Sequence, residues 1–395
     1  MTSARIIAVT FLVCLGSAHA QPADDQMREP YQMVRSLQML QDQIARGDLD
    51  AHNSQPALLK RLGENFLKAD AAVWKEPRNS RAAVTFLLSG GSPQVVASLR
   101  SRNVLNIDEA IVDGAIAYVE GRTDEAKSKL ANIKPRSLPA ALGAEIALVQ
   151  SALVAQDDLK VAIALLDEVR LMMPGTLVEE AALRREIFIV GQDDDFDKFE
   201  ALAVRYFRRY RHSIYAGNFR QRFALSVARF SFVQRPDRFP RLVAVLDHLD
   251  RASQRALYLL IARTALVRGK TEMTVLAADR VFALSDDDSA ERVRARLYRA
   301  AARVATSAHS AAIAELEQID KAKLSERDVE LQTAALAIGL NVRKALPEAK
   351  AKSDGSSEAK TAMRPRIDFS RSLAAVDRAQ KLLDASQEQL KEKVR

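Results

Sequence analysis

The stretch AIVDGAIAYVEGRTDEAKSKL, Ala110 to Leu130, decides the fold, because it reads as the junction between the two helices of a helical hairpin. Ala110, Gly114 and Ala117 recur at helical spacing before Tyr118, so a second helix can approach that face closely. Gly121 supplies a helix stop, Thr123 an N-cap, and Asp124 and Glu125 carboxylates for the next first turn. Ala126 is the small residue where the second helix meets the first. Leu130 and Ile133 continue the apolar stripe, and Pro135 ends it.

A small-residue face, a turn glycine, a second alanine and a terminal proline make up the tetratricopeptide pattern. Related junctions follow at Gln156-Asp157-Asp158 and Gly191-Gln192-Asp193, each step being about 35 residues, the length of one such repeat. Leu266 to Lys270 repeats the turn chemistry, and Ser307 to Ser310 offers a further junction. The expected fold class is all-α, an α-solenoid of tetratricopeptide-like (TPR-like) helical hairpins, whose function lies in a surface and not in a catalytic pocket.

Around this repeat region, 108–342, the chain divides further. Residues 21–107 form an N-terminal helical region: Pro30 opens a helix that Gly47 follows, a second helix starts near Ser54, and a short apolar helix spans Ala82 to Leu88. Trp74 precedes the connector Lys75 to Asn79, and Ser92-Pro93 restarts a helix. Within the repeats, helices are expected at Leu242–Leu249, Ala252–Arg268, Thr271–Leu284, Ser289–Thr306, Ala308–Ile319 and Glu326–Val342. Residues 343–366 lack apolar anchors and read as a flexible linker, and 367–395 as a C-terminal amphipathic helix with a sparse apolar seam.

Only 14 glycines and 12 prolines argue against a turn-rich β protein, and the net charge of +8, from 59 basic and 51 acidic residues interspersed, is weak support for nucleic-acid binding. Residues 1–20 read as a signal peptide: Arg5, then the apolar run Ile6 to Leu15, then Ser17-Ala18-His19-Ala20 with cleavage after Ala20. Val13 before Cys14 does not fit a lipoprotein signal. Cleavage removes the chain's single cysteine, leaving neither a disulfide nor a thiolate metal site. No later segment is apolar for long enough to span a membrane, so the sequence reads as an exported, soluble product.

The basic and aromatic run RYFRRYRHSIYAGNFRQRF, Arg205 to Phe223, is the candidate partner-binding surface, with Arg205, Tyr206, Arg208, Arg209, Tyr210, Arg211 and Tyr215 as its residues. Interleaved cations and rings suit an anionic partner. The competing reading is a repeat helix whose rings face the core, its arginines solvated or paired with the acidic connector Asp193 to Asp197. His52, His212, His248 and His309 show no metal-ligand spacing, and Asp286-Asp287-Asp288 lacks the alternation of a calcium loop. No nucleophile elbow, Walker loop, dinucleotide fingerprint or zinc-protease motif is present. The sequence therefore predicts a non-enzymatic protein with no cofactor and no nucleic-acid partner.

Several stretches in order carry a family resemblance: Glu29-Pro30-Tyr31 with VRSLQMLQDQIARGD, Trp74-Lys75-Glu76-Pro77-Arg78-Asn79 leading to LLSGGSP at Leu87 to Pro93, and VEGRTDEA. With the signal, they make the chain resemble the MotC family, periplasmic motility proteins of rhizobia and related bacteria, over Glu29 to Val342. The resemblance implies a periplasmic location, a role in flagellar rotation, and association with the periplasmic region of the stator protein MotB, which the protein stabilises or positions. It carries over no residue-level binding motif. A solenoid of this type is expected to offer a concave groove to its partner. The alternative is a general periplasmic TPR-like adaptor in cell-wall or outer-membrane assembly.

Overall fold

The computed structural model describes residues 29–230 and 236–345. The signal segment with Ala20 and the C-terminal amphipathic helix, 367–395, lie outside the described residues, as does the expected linker 343–366 except its first three residues, which continue the last helix to Ala345 because the apolar and helix-forming pattern runs on past Val342. Among those described there are seventeen α-helices and no strand, arranged as successive hairpins. The pairs are α1 (Pro30–Arg46) with α2 (Leu49–Lys68), α3 (Pro77–Leu88) with α4 (Pro93–Ser101), and α5 (Glu109–Val119) with α6 (Thr123–Leu130). Next come α7 (Ala140–Val154) with α8 (Leu159–Met172) and α9 (Leu177–Gln192) with α10 (Phe196–Arg209), followed by α11 (Ala216–Val227), which packs on α9 and α13, and α12 (Phe239–Leu246), which packs on α10. The series closes with α13 (Arg251–Val267) and α14 (Thr271–Leu284), α15 (Ala290–Arg303) and α16 (His309–Glu317), and an unpaired α17 (Glu326–Ala345). This is the all-α hairpin solenoid that the periodicity predicts.

The hairpin alternation begins at α1, so residues 30–101 are built on the same plan as the repeats after them. Odd-numbered helices stack into one row, α1 on α3, α3 on α5, α9 on α11, and α11 onward to α17. The even-numbered helices lie outside this row, each against its hairpin partner or its neighbours in the chain, with α2 also against α4 and α10 against α12. The odd row is the inner one, because it curls onto itself: α3 also touches α7, and α1 touches α9.

The junction at Gly121 works by packing as well as by its turn. Gly121 has φ +78°, and a Cβ at Gly114 would lie 2.6 Å from Leu130 Cγ, so only a bare backbone lets α6 approach α5 this closely. Thr123 is the first helical residue and not the N-cap; Arg122 holds that position and pairs with Glu120 and Glu125. The turn is one residue tighter than expected because Arg122 N–H donates back to Ala117 O at 2.8 Å. Gly191 is likewise not a turn residue. It lies inside α9, where a Cβ would sit 2.3 Å from the Phe230 ring, and the turn falls at Asp193 to Asp195, with Asp194 at φ +60° and Asp195 capping α10. Helix α2 starts at Leu49, ahead of Ser54, because Asp48 accepts from Ala51 N–H at 2.9 Å and Pro56 is accommodated inside the helix.

Buried glutamines tie successive hairpins. Gln150 on α7 donates to Leu130 O (2.8 Å) and Ile133 O (2.9 Å), and Gln332 on α17 donates to Leu316 O (2.7 Å) and Ile319 O (3.3 Å). In both places an inner helix supplies donors to the carbonyls left over where the preceding outer helix ends.

The end of α1 is clamped by segments more than a hundred residues downstream. Leu177 N–H donates to Asp42 Oδ1 at 3.3 Å, and Ile214 N–H donates to Ile44 O at 3.4 Å. Gly47, at φ +100°, ends α1, and a Cβ on it would lie 2.3 Å from His212 O. Gly47→Ala should therefore lower the unfolding free energy by about 1–3 kcal/mol, measured by urea denaturation, since it combines left-handed strain with a backbone clash. The expected concave groove is not free at this part of the solenoid. Glu145, on the inner face of α7, is buried against Ser89 at the end of α3, and Gln41 of α1 donates to Ser89 O at 3.2 Å.

Candidate partner-binding surface

Helix α10 owes its position to a strongly amphipathic pattern. Phe196, Phe199, Leu202, Ala203, Tyr206 and Phe207 all face inward at helical spacing, while Asp195 caps the start by accepting from Lys198 N–H. Tyr206 and Tyr210 are buried, at 0% and 2% exposure. The Tyr206 ring centroid lies 3.8 Å from that of Phe219, and Phe207 and Phe223 meet edge to face at 5.3 Å. The rings of the basic run thus form the core between α10 and α11, and the reading in which they face inward describes Tyr206 and Tyr210.

The arginines divide into two sets. Arg205 and Arg209 turn back toward Glu179 of α9: Arg205 Nε donates to Glu179 Oε1 at 2.7 Å, and Arg209 Nε lies 3.8 Å from Oε2. Glu179 is fully buried and also accepts from Tyr210 Oη at 2.6 Å and from Gly175 N–H. The expected pairing with the acidic connector does not form for these arginines; Asp197 of that connector instead holds Arg241 at 2.7 Å. Arg208 and Arg211 point outward and have no carboxylate partner among the described residues. Arg211 Nε donates to His212 Nε2 at 3.0 Å, and Tyr215 is half-buried, its ring face covered at 4.7 Å by the Arg184 guanidinium. What remains of the seven predicted residues as an accessible cationic surface is Arg208 and Arg211, with the half-exposed Arg209 beside them.

The carboxylates of α9 escaped the sequence reading. Thr176 caps this helix by accepting from Glu179 N–H, and Glu179 returns a carboxylate to Gly175 N–H, so Thr176-x-x-Glu179 is a local signature that could have revealed the first of them. Glu180 accepts from Tyr206 Oη at 3.0 Å, and burial pushes its carboxyl above the usual range. Glu186 sits between Arg170 (2.7 Å) and Lys198 (3.2 Å), with burial pushing its carboxyl up to about 7 against the pull of both cations. Burial beside these carboxylates also raises the Tyr206 and Tyr210 phenols. The network holds α8, α9 and α10 together. Among the described residues no three metal-capable side chains converge, and no helix is long and apolar enough to cross a membrane.

Comparison with known proteins follows the same line. A family model described as "Chemotaxis protein MotC" matches residues 1–395. A protein named "Chemotaxis protein MotC" from Rhizobium meliloti (strain 1021) is 33% identical over 329 residues, covering 82% of this chain and 74% of its own length. No solved structure matches the chain.

Proposed function

We propose, from the premise that this chain belongs to the MotC family, that it is a non-enzymatic motility protein of the periplasm that binds the periplasmic region of the stator protein MotB and stabilises or positions it. The observation that carries the reading is family membership over the whole chain, joined to outward cations at the end of α10. The signal-like sequence at 1–20 supports the periplasmic location. Arg208 stands in the last turn of α10, whose opposite face is packed into the aromatic core, and Arg211 stands in the turn that follows, so the two charges are presented side by side at the end of that helix. Such exposed cations accelerate encounter with an acidic surface and make binding salt-dependent, while apolar contacts elsewhere set the lifetime of the complex.

Calorimetric titration of the protein with the purified periplasmic region of MotB at two salt concentrations tests this. The double variant Arg208→Glu/Arg211→Glu is expected to weaken binding by about tenfold at low salt and less at high salt, with unchanged thermal stability. Unchanged affinity in that variant would remove this surface from the mechanism, and absence of binding by the unmodified protein would remove MotB as the partner.

A further inference from the structure

An unfilled slot lies between α6 and α8, on the hairpin that precedes α9 and α10 in the chain. Helix α6 is eight residues long where α8 has fourteen, and after Leu130 the chain leaves the helix and turns through Pro135. The short helix leaves the end of α7 and one side of α8 without cover. The result is an open groove of about 500 Å³, within the range of ligand sites, whose apolar floor includes Leu153, Val154, Val161 and Leu165. Val161 is 45% exposed, so the floor of the groove presents uncovered apolar surface to solvent.

The rim of this groove is cationic. Lys127, Lys134 and Arg136 line it against a single acid, Glu168. Arg136 Nε lies 3.0 Å from Glu168, and Lys127 reaches Asp157, whereas Lys134 has no anionic partner among the described residues. An occupant that matches both features is an apolar stretch of polypeptide flanked by carboxylates: its side chains cover Val161 and Leu165, and its acids meet Lys134 and, in exchange for Glu168, Arg136. The inner row between α1 and α9 cannot take such a segment, because there α1 and α3 already cover α7 and α9.

We propose that this groove between α6 and α8 is the docking site for an apolar, acid-flanked segment of the stator's periplasmic part, an inference that rests on the partner named above. The cations at Arg208 and Arg211 steer the approach, and the groove provides the desolvated contact that slows dissociation.

The test uses the full chain, the purified periplasmic region of MotB, and two variants at exposed positions, Val161→Asp and Lys134→Glu. Val161→Asp is expected to weaken binding at least about tenfold, chiefly through faster dissociation, and Lys134→Glu to weaken it in a salt-dependent way. Both should melt within a few degrees of the unmodified protein. A benzophenone side chain placed at Val161 should cross-link to a stretch of MotB containing apolar residues next to Asp or Glu. If the unmodified protein binds MotB and both variants bind equally well, the groove proposal fails while the partner stands. If the unmodified protein does not bind MotB, the partner reading fails and the proposed occupant with it. Cross-linking to a second copy of this chain, or to a MotB stretch without acids, overturns the proposal, as does a loss of binding matched by a drop in melting temperature without any MotB cross-link.

Discussion

Glu179→Ala is expected to lower the unfolding free energy by about 2–4 kcal/mol, because it removes a buried carboxylate on which several donors converge and leaves a void in its place. The Glu179 side chain is fully buried and accepts from Arg205, from Tyr210 Oη and from Gly175 N–H. Removing the carboxylate leaves the Gly175 N–H without its acceptor, leaves the Tyr210 phenol with only Thr176 O at 3.2 Å, and takes the anion away from the half-exposed Arg205. Glu179→Gln retains the shape and one acceptor oxygen, so its cost should be lower, about 1–3 kcal/mol. Urea denaturation followed by circular dichroism separates the two. An alanine variant less than about 1 kcal/mol weaker than the parent would mean that ring packing alone holds α10 on α9.

A second large effect concerns pH. Glu145 has no cationic neighbour; its contact is Ser89 Oγ, which donates at 3.3 Å, and burial pushes its carboxyl from 4.5 up to about 7. Between these two values the folded protein keeps a proton that the unfolded chain has released, so stability falls as pH rises from about 4.5 to about 7 and stays reduced above that. The linked penalty is about 3 kcal/mol at pH 8. Burial raises Asp42, Glu180 and Glu186 as well, which adds to this slope, whereas Asp113, Asp167 and Asp250 are held below the usual carboxylate range by their hydrogen-bond and ion-pair partners and give the opposite slope at more acid pH. Glu145→Gln carries no charge to bury and should be the more stable protein at pH 8 by about that amount, with little difference at pH 4. Unfolding free energies at pH 5 and pH 8 for both proteins check this; parallel lines would show that Glu145 is solvated in the folded state.

The fold was legible because it depends on local signals. The stripe and turn at Ala110 to Leu130, the αL glycines at 47, 121 and 269, and the start of α14 at Thr271 follow from rules that act within one hairpin. Errors arose where a residue serves a distant contact. Gly191 looks like a turn residue in the sequence, but its missing side chain makes room for Phe230, a neighbour that no window of sequence supplies. The acids of α9 look like ordinary solvated first-turn residues until Arg205 and Tyr206 are folded against them. The basic run was visible, but which of its residues face outward was settled by three-dimensional packing: Tyr206 and Tyr210 complete the core, whereas Arg208 and Arg211 do not. The groove beside α8 left no motif, since it results from a helix that stops early.

The clamp on the end of α1 sets the order in which the molecule can assemble. Hairpins of a linear repeat protein need only their neighbours and can form one after another as the chain emerges from the ribosome. Here Asp42 and Ile44 wait for Leu177 and Ile214, so closing this loop demands a chain more than a hundred residues longer than the hairpin itself. Loop closure of that length is an entropic cost met before any contact repays it, and it raises the contact order of an otherwise local topology. The nascent N-terminal hairpin is thus kept incomplete until the middle of the chain arrives, and refolding should show a slow phase that belongs to this closure.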